Sequence, residues 1–270
     1  MSAASRGGTG IASRVAIVTG GTRGIGLGIS RVLAGDGLAV AMVYQRDEAA
    51  ASGARAELER LGGRVLALQA DVSTRAGAEL VVARVVETWG RLDVLVNNAG
   101  VFRFAFLEEM DEAFLDSILQ SNFKSVVFMT QAALPWLKKG EHPRVLNASS
   151  IAGRLADVGL IAYGASKAAI DMLTRVAAAE LAPYGITVNA YAPGILFTEM
   201  TREMIESRGK EQVKQIPAGR FGTPEDAAVL IRFLCSPAAN YLTGEVIGID
   251  GGMLKVQNPY RAQEQARKST

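Results

Sequence analysis

One cysteine in 270 residues, Cys235, excludes an internal disulfide. It lies in the apolar run 229–235 and reads as a small buried hydrophobe with no chemistry of its own. Histidine is equally scarce. The single copy, His142, stands in the loop-like Gly140-Glu141-His142-Pro143, which argues against a histidine metal site or a nucleophilic triad. No cluster of metal ligands presents itself, so no bound metal is expected. Nor does any apolar run approach the roughly 18–20 residues that cross a bilayer, and the start lacks a basic segment followed by an apolar one. A cytoplasmic protein without membrane contact is the expectation. With 29 basic against 27 acidic side chains, a formal net charge of +2, no dominant basic stripe offers itself to a nucleic acid.

What is present is enough apolar material for one sizeable core: 49% of the residues are hydrophobic. Residues 1–13, rich in Ser, Gly and Ala, read as a flexible lead-in, and 254–270 as a polar tail. Between them, residues 14–253 alternate strand and helix patterns. Apolar runs of strand length occur at 15–18, 39–44, 65–69, 94–96, 145–148, 187–191 and 245–249. Helical patterns follow each of the first six: one running to Leu33, then 49–61, 74–89, 111–122 with 123–137, 163–181 and 224–235, the last opening with Pro224 and Glu225-Asp226. Such alternation predicts a single doubly wound α/β domain of Rossmann type with a seven-stranded parallel sheet covered on both faces. The polar stretch 195–219, with Met200 and Met204, is expected to form a helical lid over a substrate.

The first strand runs into Thr19-Gly20-Gly21-Thr22-Arg23-Gly24-Ile25-Gly26 and then a helix. Glycines let the backbone turn tightly and approach a pyrophosphate, and the helix N-terminus supplies free N–H groups and partial positive charge. The spacing Gly-x-x-x-Gly-x-Gly through Gly20, Gly24 and Gly26 differs from the commoner Gly-x-Gly-x-x-Gly. At the end of the second strand, where an acidic residue would select NAD, the chain has Tyr44, followed by Gln45 and Arg46. Arg23 and Arg46 are therefore expected to meet a 2′-phosphate, which makes NADP(H) the expected cofactor.

Tyr163 and Lys167 are four apart, so a helix places them on one face. Alone, such a pair is most often two ordinary neighbours on a half-buried surface. A lysine close to a phenol would lower the phenol's pKa and make it an acid/base at working pH. Ser150 stands thirteen residues before Tyr163, where the strand 145–148 ends, and Asn122 precedes it in Ser121-Asn122-Phe123-Lys124-Ser125.

Taken with the glycine loop, Asp71, Asn98-Ala99-Gly100, Pro193-Gly194 and Thr198 in order, this pattern resembles the short-chain dehydrogenase/reductase family over roughly residues 15–253. The usual Asn-x-x-Gly reads Asn-x-x-Ser here. The resemblance implies a tetrad of Asn122, Ser150, Tyr163 and Lys167 that interconverts a ketone and a secondary alcohol by hydride transfer. Tyr163 would be the acid/base, Ser150 a partner of the reacting oxygen, Lys167 a ligand of the nicotinamide ribose and Asn122 the holder of a relay water. It further implies cofactor contacts at Gly20, Thr22, Arg23, Gly24, Ile25 and Gly26 for pyrophosphate and adenosine. Asp71 and Val72 would meet the adenine, Asn98, Ala99 and Gly100 the adenosine ribose, and Pro193, Gly194, Ile195 and Thr198 the carboxamide.

Gly-Arg-Phe-Gly at 219–222 and Tyr-Leu-Thr-Gly at 241–244 are similar to the 3-oxoacyl-(acyl-carrier-protein) reductase branch. Carrier-protein partners call for basic residues before the fifth strand and after the catalytic helix. Here those stretches read Glu141-His142-Pro143-Arg144 and Ala182-Pro183-Tyr184-Gly185. A small-molecule ketone is thus the better supported substrate and an acyl carrier protein the weaker. Oxidation of a sugar or other secondary alcohol, and a non-catalytic dinucleotide sensor, are the alternatives. A homotetramer with twofold axes is what the resemblance implies for assembly.

Overall fold

The structure, a computed structural model, describes residues 14–268; the expected lead-in, residues 1–13, lies outside the described residues. Val15–Thr19 (β1), Ala39–Tyr44 (β2), Val65–Gln69 (β3), Val94–Asn97 (β4), Arg144–Ala148 (β5), Thr187–Pro193 (β6) and Val246–Ile249 (β7) are the strands. They form one parallel sheet in the order β3-β2-β1-β4-β5-β6-β7. The helices are Gly24–Gly35 (α1), Glu48–Arg60 (α2), Arg75–Trp89 (α3), Glu112–Leu119 (α4), Ser125–Leu137 (α5), Ile161–Leu181 (α6), Arg202–Gln212 (α7), Pro224–Cys235 (α8) and Tyr260–Lys268 (α9).

Side-chain alternation along buried strands explains the two layers. Ala16 and Val18 pack with Ile29 and Leu33 of α1, Leu58 of α2 and Ile231 of α8. Val15 and Ile17 point the other way, toward Val81 and Val85 of α3, Met129 of α5 and Leu181 of α6. Both faces are apolar, and accordingly Val15 to Val18 are each at most 1% exposed. Helices α1 and α8 touch closely because Gly28 has no side chain: a Cβ there would stand 3.1 Å from the Pro224 carbonyl oxygen. β1 pairs with β2 on one side and β4 on the other, so chain direction across the sheet reverses there. A crevice opens at such a switch point, outside the C-terminal strand ends.

At the opposite edge two buried arginines satisfy the carbonyls that end α8. Arg14 Nη1 donates to Cys235 O at 2.6 Å and Arg144 Nε to Leu234 O at 3.1 Å. Burial pushes the Arg144 guanidinium down to about 10 and the Cys235 thiol up to about 12, so the arginine stays charged and the thiol stays protonated at neutral pH.

Three local features differ from the sequence reading. The helices expected at 111–122 and 123–137 are joined through a π-helical turn, Gln120–Lys124. β6 runs on to Pro193 because Ala192 and Pro193 pair with Gly248 and Ile249. The polar tail contains α9, whose Gln263 Nε2 donates to Ile216 O at 3.1 Å. Among the described residues no helix is long and apolar enough to cross a membrane, and no group of three or more candidate metal ligands occurs.

Candidate active site

The loop from Thr19 to Gly24 is shaped by glycine. Gly20 and Gly24 have φ of 63° and 52°, and a Cβ on Gly26 would lie 2.0 Å from the Gly20 carbonyl oxygen. Arg23 caps α1 without a side-chain hydrogen bond, which leaves the first N–H groups of the helix for an anionic ligand. Asn98 Nδ2 braces the loop by donating to Thr19 O at 3.0 Å and Gly20 O at 3.2 Å, while Asn98 Oδ1 accepts from the Tyr191 hydroxyl at 2.8 Å. The side chain expected to flank a ribose thus holds the phosphate loop in shape.

Around the adenosine end stand Tyr44, Arg46, Asp71 and Val72. The Tyr44 hydroxyl donates to Glu48. Asp71 Oδ1 accepts from the Ser73 hydroxyl at 2.6 Å and the Ser73 N–H at 3.0 Å, which holds its carboxyl below the ordinary range, with a smaller contribution from the Arg46 charge. Arg23 lies between two carboxylates, Asp47 at 3.9 Å and Glu199 at 3.6 Å. Exposed pairs of that length are weak, about 0–1 kcal/mol each, and would yield to a phosphate dianion.

At the other end, β5 delivers Ser150 and α6 delivers Tyr163 and Lys167. Ser150 Oγ accepts from the Ala152 N–H at 3.2 Å, and its hydroxyl is near enough to the Tyr163 phenol to act on its proton affinity. The Lys167 ammonium, 4% exposed, donates to Ala148 O at 2.8 Å and stands 5.6 Å from the Tyr163 ring centre. Phe102 packs edge-on against Tyr163 with ring centres 5.0 Å apart. Asn122 sits in the π-turn, where Oδ1 accepts from Val101 N at 2.8 Å and Nδ2 donates to Val101 O at 3.0 Å and Ser166 Oγ at 3.1 Å. π-Turns inside helices are a recurrent feature of functional sites. Gly100 keeps the space between these groups open: a Cβ on it would meet Asn122 Oδ1 at 3.1 Å and Lys167 Nζ at 3.5 Å.

One expectation is corrected. Burial raises the Tyr163 phenol above its ordinary value, opposed by the Ser150 hydroxyl, and Lys167 is not what moves it. The reason is geometric: the ammonium is turned onto the Ala148 carbonyl rather than onto the phenol oxygen, and its own desolvation pushes Lys167 down to about 8.

A family described as enoyl-(acyl carrier protein) reductase matches residues 20–254. The 3-oxoacyl-[acyl-carrier-protein] reductase of Synechocystis sp. is 37% identical over 91% of this chain and 99% of its own. That of Thermotoga maritima is 39% identical over 89% and 98%. A short-chain dehydrogenase of Burkholderia cenocepacia, solved in complex with NADP, superposes with a TM-score of 0.85 at 36% identity, covering 90% of this chain and 99% of that one. The chain belongs to the short-chain dehydrogenase/reductase family. It is an oxidoreductase of a family that binds a nicotinamide dinucleotide.

The chain carries a cleft of about 1470 Å³, more than the roughly 300–1,000 Å³ of a pocket for a drug-sized ligand. Every residue expected to touch cofactor lines it, from Gly20 through Thr22, Arg23, Gly24, Ile25 and Gly26, Tyr44, Arg46, Asp71, Val72, Asn98, Ala99 and Gly100 to Pro193, Gly194, Ile195 and Thr198. Ser150, Tyr163 and Lys167 line it as well, whereas Asn122 is 1% exposed and set behind Gly100. Helix α7 contributes Met204, Arg208 and Glu211 from one face, and the loop 101–103 contributes Phe102 and Arg103. The sequence reading noted the methionines and missed the rest. A three-to-four-residue spacing through 200, 204, 208 and 211 was the signal available.

Proposed function

We propose that this chain reduces a ketone to a secondary alcohol at the expense of NADPH, a 3-oxoacyl thioester being one substrate class of that kind. The observation that carries this reading is that Ser150, Tyr163 and the buried Lys167 line one cleft together with the glycine loop Gly20 to Gly26. Bound there, the dinucleotide supplies hydride to the carbonyl carbon. Tyr163 gives its proton to the carbonyl oxygen as negative charge develops on it, and Ser150 hydrogen-bonds the same oxygen. A phenol held above its ordinary value is protonated at neutral pH, the form in which it can give a proton to a reduced carbonyl oxygen. Lys167 would replace its proton through the chain that ends at Asn122, and its ammonium would hydrogen-bond the nicotinamide ribose.

NADP(H) is preferred in this reading because Tyr44 replaces a carboxylate that would repel a 2′-phosphate, and Arg23 and Arg46 flank the same corner of the cleft. The relative from Burkholderia cenocepacia that was solved with NADP is consistent with it. Relatives named for acyl carrier protein suggest a thioester. Against docking of the carrier itself, the one basic residue of the stretch 141–144 apart from its histidine, Arg144, is 1% exposed and bound to α8. Residues 195–219 would close over substrate through α7, and the cytoplasm would be the compartment. A homotetramer is supported by exposed apolar side chains on three helices: Leu115 on α4, Met172 and Val176 on α6, and Val229 and Phe233 on α8. Light scattering at micromolar concentration tests that, and a monomer would refute it.

A steady-state screen of ketones, 3-oxoacyl thioesters and secondary alcohols with both nicotinamide cofactors tests the function. NADPH-dependent ketone reduction is expected. Bound NADPH with no turnover across the panel would overturn the reading in favour of a sensor.

A further inference from the structure

Behind the cleft, a buried carboxylate joins the strand end that carries Ser150 to the helix that carries Tyr163 and Lys167. Asp171 is one turn beyond Lys167 on α6, is 4% exposed and does not line the cleft. Its Oδ1 accepts from Ser149 Oγ, and its Oδ2 accepts from Arg154 Nε at 3.1 Å. Arg154 Nη2 in turn donates to Val246 O on β7 at 2.8 Å. Ser149 immediately precedes Ser150, and its hydroxyl also stands 3.5 Å from the Lys167 carbonyl oxygen. One side chain therefore ties the catalytic serine's backbone, the catalytic helix and the sheet edge together.

Burying a carboxylate whose arginine partner stays partly exposed is a costly way to fasten two elements, since apolar residues of similar volume often do so at least as well. The charge has a second object. The titratable groups facing Lys167 are Tyr163 and Asp171 from its own helix and, through Asp171, Arg154 from the loop after β5. The π-turn and the end of β4 present the neutral Asn122 and Gly100. Desolvation works against the Lys167 ammonium, and Asp171 is the charge that opposes it.

We propose that Asp171 is a positioning residue for the reaction: through Ser149 and Arg154 it fixes the strand end that carries Ser150 against the helix that carries Tyr163 and Lys167. One helical turn from Lys167, its charge also opposes the desolvation of the ammonium. The inference rests on the ketone-reductase reading, but its first test needs no substrate. NMR of 13Cε-labelled lysine, with Lys167→Arg identifying the resonance, follows the Lys167 titration directly. A midpoint near 8 is expected in the wild type. In Asp171→Asn it is expected to fall by roughly one unit. An equal midpoint in both proteins would overturn the electrostatic role, whatever the substrate proves to be. Should Asp171→Asn fail to fold, Arg154→Gln removes the counter-charge and is expected to move the midpoint upward, with no movement again refuting the idea.

The second test uses a ketone that the wild type turns over. Ser149→Ala and Asp171→Asn are each expected to lower kcat about tenfold with KM for NADPH unchanged. Only Asp171→Asn should bring the alkaline limb of kcat to lower pH. Unchanged kcat in both, or equal limbs in the two variants, would contradict the proposal. A wild type that turns over no ketone would count against the reductase reading alone, because the NMR midpoints would still decide the role of Asp171.

Discussion

At the end of the cleft that holds Tyr163, Lys167 and the Asn122 behind it are 4% and 1% exposed, whereas at the other end the Arg23 side chain is 62% exposed and paired only loosely with Asp47 and Glu199. Burial has consequences at the first end that it lacks at the second. The enclosed Tyr163 and Lys167 both move from their ordinary proton affinities, each toward its neutral form. Around Arg23 water screens the pairs, so any charge recognition there would use flexible, replaceable contacts. In the proposed reading the same contrast ranks the expected effects of substitution: chemistry assigned to the enclosed end would be lost by large factors, and cofactor choice assigned to the open end would shift by smaller ones.

After Tyr163→Phe, the largest effect should come from Lys167→Met, which removes an enclosed ammonium beside Tyr163. Turnover is expected to fall on the order of 10²-fold or more with the fold intact by circular dichroism. Retained turnover would mean that the ammonium has no part in the reaction. Next is Gly26→Ala, whose Cβ would sit 2.0 Å from the Gly20 carbonyl oxygen. It should weaken NADPH binding by about 1–3 kcal/mol through displacement of the loop. Fluorescence titration reads this, and wild-type affinity would show that the loop is not the phosphate site.

Effects of similar size that discriminate between the two cofactors are expected at the open end. Arg23→Ala and Arg46→Ala should each weaken NADPH by about 1–3 kcal/mol and leave NADH nearly untouched. Comparison of kcat/KM for the two cofactors checks it; equal losses with both would remove these arginines from phosphate recognition. Smallest of all is a salt effect. Raising ionic strength should weaken NADPH more than NADH in the wild type, and the difference should shrink in Arg23→Ala.

The two ends also differ in how legible they were. Strands β1 to β7 and the glycine loop were readable because each depends on local pattern: apolar runs between turns, and a spacing of glycines that only a tight turn requires. Tyr163 and Lys167 were readable for the same reason, being one helical turn apart. What the pattern could not supply were contacts between distant segments. Asn98 holding the Gly20 loop, Lys167 turning to the Ala148 carbonyl, and the Ser149–Asp171–Arg154 link each join elements 17 to 79 positions apart. The direction of the Tyr163 shift failed on this point, since it hinged on where a flexible ammonium finds its acceptor. The helix at Tyr260–Lys268 was missed because its sequence is polar all round, without the apolar periodicity that marks a packed helix.

The central claim, that Tyr163 is the proton donor of a hydride-transfer site, is tested most directly by Tyr163→Phe at saturating ketone and NADPH. The phenyl ring keeps the packing on Phe102 and loses only the hydroxyl. The account predicts a 10²- to 10⁴-fold fall in kcat, roughly the contribution of a general acid, with NADPH affinity by fluorescence unchanged. Retention of more than about a tenth of wild-type kcat would contradict it.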